Sequence, residues 1–299
     1  MADAAPPQRP NLITRVADYI ELTKPGVVWL ILMSTGASFY LASHGKIDFL
    51  LFFHAVMGTA LVAGGTGSLN QYIERNLDSK MRRTANRPLP SERLKPRNAL
   101  VYGISLSVLG IFELAFAVNL LSSFLALITL SSYLLIYTPL KKRTTYSTLV
   151  GAFPGAMPPA IGWTAARGQI ELEAIILYAI LFLWQFPHFF AIALMYRDDY
   201  ARAGIVVLPV IDKDGKSTQR QIKYYTCLLL LVSLVPAFIG LAGNIYFFGS
   251  LVLGLLFAYY AFSSNISRSI IEARQLLLAS VFYLPLLYAL LVTEKIILN

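Results

Sequence analysis

Asn70, Glu74 and Asp78 recur at every fourth position, just after a run, Leu51 to Leu69, that holds no Asp, Glu, Lys or Arg. On a helix such positions drift by only about 40° per step, so the three oxygen side chains line one face over roughly 12 Å. That donor set suits a hard divalent ion. Mg²⁺ takes one or two carboxylates, keeps water, and fills its octahedron with phosphate oxygens, whereas an all-protein Ca²⁺ cage needs more ligands. Arg82, Arg83 and Arg87 follow at once, within Arg82-Arg83-Thr84-Ala85-Asn86-Arg87-Pro88-Leu89-Pro90. Arginine forks bind phosphate oxygens bidentately, and the two prolines stiffen the returning loop. The pattern points to a metal-bridged anion: chemistry on a diphosphate whose tail lies in lipid. The competing explanation is a solvated helix end, with Glu74 and Asp78 paired to Arg75, Lys80 or Arg82.

A second acidic motif, Asp198-Asp199, stands one turn beyond another apolar run, flanked by Tyr196 and Tyr200. Facing Glu74 and Asp78 across a cavity, Asp198 and Asp199 would hold a second Mg²⁺ on the same diphosphate and stabilise the departing anion. An ordinary turn also explains Asp-Asp there. His188 lies three helical turns before Asp199 on nearly the same face. An ionisable group at that depth is a functional candidate, although a histidine bonded to a neighbouring helix is its plainer reading. The basic segment Tyr137-Thr138-Pro139-Leu140-Lys141-Lys142-Arg143-Thr144, and Lys24 before Pro25, either cover the diphosphate or anchor the topology. His54, His44 and Glu113 belong to the opposite side and are weak candidates.

Those groups need a scaffold that holds them at a lipid border. The 299 residues are 57% hydrophobic and only 14% charged, with mean hydropathy +0.62. Soluble domains carry about a quarter charged residues. Nine apolar runs are expected, near 26–43, 50–72, 98–119, 121–138, 148–165, 172–194, 224–243, 245–263 and 277–296. With the N-terminus inside, 22 Lys/Arg fall on the inner segments and 3 on the outer ones. That split places the N-terminus in the cytoplasm and accounts for the net charge of +9 without nucleic acid. Both acidic motifs then share the cytoplasmic side. Met1 to Pro10 has no signal-peptide character. Asn11 to Leu22 is expected as an interfacial helix, giving a leader at 1–22 and one intramembrane domain at 23–299. The single Cys227 excludes a disulfide framework. Gly58, Gly64, Gly65 and Gly67 allow close helix packing, and Pro154, Pro158 and Pro159 predict kinks that open a cavity. The expected fold is all-α: a polytopic membrane helical bundle of about nine transmembrane helices around a central cavity open toward the cytoplasm.

Several stretches together carry a resemblance. Asn70-Gln71-Tyr72-Ile73-Glu74 through Asp78, Arg87-Pro88-Leu89-Pro90 and Tyr137-Thr138-Pro139-Leu140-Lys141 are similar to the UbiA-type intramembrane prenyltransferase superfamily. Trp184-Gln185-Phe186-Pro187-His188-Phe189 and Asp199-Tyr200-Ala201-Arg202-Ala203-Gly204 resemble its protohaem IX farnesyltransferase branch. Many superfamily members carry two aspartates spaced four apart where Tyr196 and Tyr200 flank Asp198-Asp199 here, and Val206-Val207 replaces a usual Pro-Met. The resemblance implies a reaction in the bacterial inner membrane. Farnesyl diphosphate is bound through Mg²⁺, the diphosphate leaves, the 2-vinyl group of haem b attacks the allylic cation, and water adds to give haem O. It implies catalytic roles for Asn70, Glu74, Asp78, Asp198 and Asp199, with Asn70, Glu74, Asp78 and Asp199 as metal ligands. Substrate contacts are implied for Lys24, Arg82, Arg83, Arg87, Lys141, Lys142, His188, Tyr196 and Tyr200. Haem b is a substrate there, and the resemblance also implies association with haem A synthase or a haem-copper oxidase assembly pathway. Two alternatives remain at this level. One is a prenyltransferase acting on 4-hydroxybenzoate or a naphthoate. The other is a transporter, although transporters tend to put coupling charges near the midplane rather than at helix ends.

Overall fold

Asp48 starts the helix that carries the first motif: its carboxylate accepts the Leu51 N–H at 3.0 Å, satisfying one of the free donors of a first turn. A computed structural model of the chain describes residues 12–43, 46–262 and 269–298. The expectations for Met1 to Pro10 and for His44 lie outside those residues.

The helices are α1 (Leu12–Leu22), α2 (Pro25–Ala42) and α3 (Phe49–Asp78), then α4 (Pro96–Val118) and α5 (Leu120–Leu140). After them come α6 (Ser147–Gly155), α7 (Met157–Arg167), α8 (Leu172–Met195), α9 (Arg197–Ala203) and α10 (Leu208–Ile211). The last three are α11 (Lys216–Phe238), α12 (Asn244–Ala261) and α13 (Ile270–Leu298). Among the described residues, eight helices are long and apolar enough to cross a membrane. The remaining expected run, 148–165, is the pair α6 and α7, which meet at Ala156. Pro154, Pro158 and Pro159 explain the break, because each removes an N–H donor and crowds the preceding turn.

Helix ends differ from the apolar runs. α3 continues to Asp78, α5 to Leu140, and α11 begins at Lys216 rather than near 224. Hydropathy marks where lipid ends, not where backbone hydrogen bonding ends. Asp212 shows this at the head of α11, accepting from Thr218 N at 2.6 Å and Thr218 Oγ1 at 2.8 Å. α3, at 30 residues, is roughly 45 Å long, against a hydrocarbon core of about 30 Å. Its last turns therefore stand beyond the core.

Small residues bring the helices on one side of the bundle together. A Cβ on Gly65 of α3 would lie 2.3 Å from Ser107 Oγ of α4, and one on Gly162 of α7 would lie 2.0 Å from the Thr35 carbonyl of α2. On the other side, α8, α11, α12 and α13 close around large side chains: Phe186, Tyr246, Phe257 and Tyr283 are all buried. Glu294 of α13 caps α12, accepting from Ile245 N at 3.0 Å and Tyr246 N at 2.6 Å.

Two π-helical turns interrupt the long helices, Leu114–Val118 in α4 and Ser132–Tyr137 in α5. The second re-aims Tyr133 and Tyr137 so that both line the central cavity. It also delivers the Thr138 hydroxyl, which donates to the Tyr133 carbonyl at 2.8 Å, to the side of α3.

Candidate active site

The face of α3 that walls the cavity with Thr59, Val62 and Thr66 continues, in steps of four from Val62, into Asn70, Glu74 and Asp78. All three are buried, and each meets a cation from a different segment. Lys24 Nζ donates to Asn70 Oδ1 at 2.6 Å. Lys141 Nζ donates to both Glu74 oxygens at 2.8 and 3.0 Å. Arg87 Nη1 donates to both Asp78 oxygens at 3.0 and 2.9 Å. Asn70 Nδ2 in turn donates to Thr138 Oγ1 at 3.2 Å.

The loops are tied down to serve this row. Lys24 sits at φ +56°, a left-handed conformation uncommon for a residue with a side chain, and turns the chain from α1 into α2. Gln71 Nε2 bonds the Glu21 and Leu22 carbonyls at 3.2 and 3.1 Å, fixing α1 against α3. Thr84 Oγ1 bonds the Asp78 carbonyl at 2.9 Å, which folds the arginine loop back over the end of α3. Val206 N bonds the Lys141 carbonyl at 2.7 Å, joining the two segments that follow α5 and α9.

The two lysines differ electrostatically. Burial, and then the Arg87 charge, pull the Lys24 ammonium down to about 7, with Glu74 working the other way. Burial also opposes the charge on Lys141, but Tyr137 and the Glu74 carboxylate hold it above the ordinary lysine range. Lys141 Nζ also stands 4.5 Å from the centre of the Tyr137 ring.

The second motif is arranged otherwise. Asp199 is buried, while Asp198 is exposed. Asp199 Oδ2 accepts the Arg83 N–H at 3.1 Å and Oδ1 pairs with Arg202. The Arg83 guanidinium lies 4.9 Å from the Tyr196 ring centre, and its Nη2 donates to the Tyr200 hydroxyl at 3.4 Å. Arg82, Arg83, Tyr196, Asp198, Asp199 and Arg202 border a second, polar cavity of about 850 Å³. The two motifs meet through the arginine loop, supported by packing of Leu77 and Met81 with Ala203 and Ile205. Lys142 is exposed on the loop after α5.

The main cavity of the membrane-spanning region, smaller than the polar one, measures about 310 Å³. Its walls are largely apolar, with Lys24 at the end nearest the acidic row. Tyr133 and Tyr137 face into it edge-to-face at 4.9 Å, and Trp184, Gln185, His188 and Phe189 of α8 complete the far wall. His188 stacks on Trp184 at 4.4 Å and its Nδ1 lies 2.8 Å from Ser280 Oγ. Gln185 Nε2 bonds the Ala152 carbonyl at 3.0 Å, close to the break between α6 and α7. Glu113 pairs with His54 Nδ1 at 2.6 Å between α3 and α4, which leaves both among structural contacts.

Among the described residues no three His, Cys, Asp or Glu side chains cluster closely enough to hold an ion by themselves. The row is an oxygen-only donor set with its charges already balanced by lysine and arginine. Such a set fits a hard cation that arrives with anionic oxygens of its own. Sequence reasoning did not single out Thr138 as the support of Asn70, Tyr133 as a cavity wall, or Ser280 as the partner of His188. The π-turn left no mark in composition, and a lone serine in an apolar helix reads as packing.

Comparison with known proteins agrees with this geometry. The model of the UbiA prenyltransferase family matches residues 30–291. A protoheme IX farnesyltransferase from Solibacter usitatus (strain Ellin6076) is 53% identical over 287 residues, covering 93% of this chain and 98% of that protein. A structure described as digeranylgeranylglyceryl phosphate synthase superposes with TM-score 0.77 at 18% identity, covering 95% of this chain and 99% of its own. A UbiA homolog from Archaeoglobus fulgidus, bound to DMAPP and Mg²⁺, gives 0.68 at 15% identity, covering 92% and 99%. With the intramembrane cavity, the acidic row at its rim and these likenesses in hand, the chain belongs to the UbiA prenyltransferase family, and within it to the protoheme IX farnesyltransferases.

Proposed function

We propose that the protein transfers a farnesyl group from farnesyl diphosphate to the 2-vinyl group of haem b, with addition of water, giving haem O. One observation carries the reading: an apolar cavity deep in a membrane bundle ends at Lys24, where the acidic row and its basic partners begin. A prenyl tail fits the walls and a diphosphate fits the rim.

Asn70, Glu74 and Asp78 would hold Mg²⁺, which supplies positive charge to the leaving diphosphate when bound. Lys24, Lys141 and Arg87 are the side chains whose hydrogen bonds pass from the row to phosphate oxygens. Fixed cations aimed where negative charge develops lower the barrier to C–O cleavage. Arg82, Arg83 and Lys142 add positive potential from the loops, with Tyr196 and Tyr200 steadying Arg83. Asp199 positions the arginine loop through the Arg83 N–H, and exposed Asp198 borders the same polar basin. Cleavage leaves an allylic cation at the farnesyl C1. The terminal vinyl carbon bonds to it, water adds to the cation left beside the porphyrin ring, and a proton is lost. Apolar walls keep water away until that step, and the faces of Tyr133 and Tyr137 favour positive charge near the reacting carbon.

The 22-to-3 basic bias supports a cytoplasmic-membrane location with the N-terminus and the acidic rim inside. Residues 1–22 form a leader whose helix α1, with Leu12, Ile13, Val16 and Ile20 exposed, lies at the interface, and 23–299 form one intramembrane domain. The test is incubation of purified protein with haem b, farnesyl diphosphate and Mg²⁺, followed by product mass. The mass of haem O is expected. Prenylated 4-hydroxybenzoate with haem b untouched would overturn the reading.

A further inference from the structure

We propose that His188 Nε2 ligates the iron of the haem substrate, its tautomer set by Ser280. The inference rests on the haem reading of the cavity given above and specifies how that substrate is held.

The argument begins with one proton. Ser280 Oγ donates to the Leu277 carbonyl at 2.6 Å within α13. A hydroxyl has a single hydrogen, so toward His188, 2.8 Å away, Ser280 must accept. Nδ1 therefore carries the imidazole proton, and Nε2 is left with its lone pair. Metal-bound histidines take this form: the far nitrogen donates to a fixed acceptor, which sets the tautomer and ring orientation.

The ring is also immobilised. It stacks on Trp184 at 4.4 Å with an interplanar angle of 22°, and Trp184 Nε1 donates to the Ser280 carbonyl at 2.8 Å. Ser280 thus orients both members of the stack, one through its hydroxyl and one through its backbone. Such definition is more than apolar packing needs.

The position is right for a substrate rather than for a resident group. His188 lines the main cavity together with Lys24, Tyr133 and Tyr137. Lys24 is engaged with Asn70, and Tyr133 and Tyr137 pack against each other beside Lys141. Among the described residues, His188 is the imidazole on that wall. Its polar partner is a hydroxyl and not a carboxylate, so nothing beside it balances an imidazolium. A neutral ligand suits this environment better than a base that must hold a proton.

The experiment uses the full chain in lipid nanodiscs with haem b and no prenyl donor. Wild-type protein should shift the Soret band and show an iron–histidine stretch in the ferrous resonance Raman spectrum. His188→Ala should lose that stretch and weaken haem binding by at least the roughly 10-fold that loss of an outer-shell partner costs, and added imidazole should restore the spectrum. Ser280→Ala keeps the ligand but weakens the Nδ1 hydrogen bond, so the stretch should move to lower frequency. Matching spectra and affinities for wild type and His188→Ala would overturn the proposal. Unchanged spectra with a lowered rate would also overturn it, assigning His188 to proton transfer. Product mass from the wild type is read separately: an iron–histidine band without farnesylated product would remove the reaction reading and keep the ligation.

Discussion

The two acidic motifs of this chain look alike on paper and are built differently. The row on α3 is held largely from afar: Lys24 lies 46 residues before Asn70 and Lys141 lies 67 after Glu74, while Arg87 comes from the loop nine residues after Asp78. Asp199 finds its cation three residues away in Arg202 and takes only a backbone N–H, that of Arg83, from 116 residues away, and Asp198 is exposed. A carboxylate whose cation comes from its own turn helps to shape that turn and whatever loop it also bonds. A carboxylate satisfied only when separate helices assemble reports on the whole bundle, and a ligand that changes its charge balance is felt by each of those helices. On the function proposed above, the difference gives substrate chemistry to the first motif and support of the arginine loop to the second.

The sharpest way to break this contrast is to neutralise both. Asp78→Ala should lower farnesyl transfer by about 10²- to 10³-fold, the range for removing one group that stabilises developing charge. Asp199→Ala should cost less, and Asp198→Ala least of all. Steady-state rates with haem b and farnesyl diphosphate check the order, and equal losses at Asp78 and Asp198 would erase it.

Lys24 and Lys141 give a second test. Lys141 keeps its charge throughout the working range, while Lys24 is pulled down to about 7. Below that value Lys24 is an ammonium and above it an amine, so the KM for farnesyl diphosphate should rise as pH climbs from 6.5 to 8.5, about the value of Lys24. Lys24→Met should flatten that rise and Lys141→Met should leave it in place. Proton uptake on binding a diphosphate analogue at about pH 8, measured in two buffers of different ionisation enthalpy, checks the same point.

Outside the site, Gly162→Ala drives a Cβ onto a backbone carbonyl, and overpacking of that kind costs about 1–3 kcal/mol. Thermal unfolding in detergent should show it. The smallest effect is expected at Glu171, whose carboxyl is held below its ordinary 4.5 by hydrogen bonds from Trp163, Arg167 and Gln169. A lowered folded value means that its contribution is complete above about 4.5 and fades as pH falls through the folded value. Glu171→Gln and wild type should therefore differ at pH 7 and converge in acid.

Much of this was legible in the residues because lipid imposes a blunt code. Apolar runs marked most of the spans, and the step of four marked the face of α3. Three kinds of feature were not legible. Partner choice was one: a solvated helix end would pair Asp78 with Arg75, Lys80 or Arg82, but Asp78 pairs with Arg87, because Thr84 turns the loop back. Local winding was another, since the π-turn at Ser132–Tyr137 has no compositional signature but decides where Tyr133, Tyr137 and Thr138 point. The last was the long-range hydroxyl. Ser280 lies 92 residues from His188, and only helix packing introduces them.

One consequence follows from α3 serving as both cavity wall and bearer of the row. No loop lies between Thr66 and Asn70, so nothing there can absorb a change of length. A single residue inserted between them would swing Asn70, Glu74 and Asp78 about 100° around the helix, away from Lys24, Lys141 and Arg87 together. Insertions and deletions should therefore be tolerated only in connections that carry no partner of the row, and not within this stretch, which acts as the fixed ruler against which every other part of the enzyme is measured.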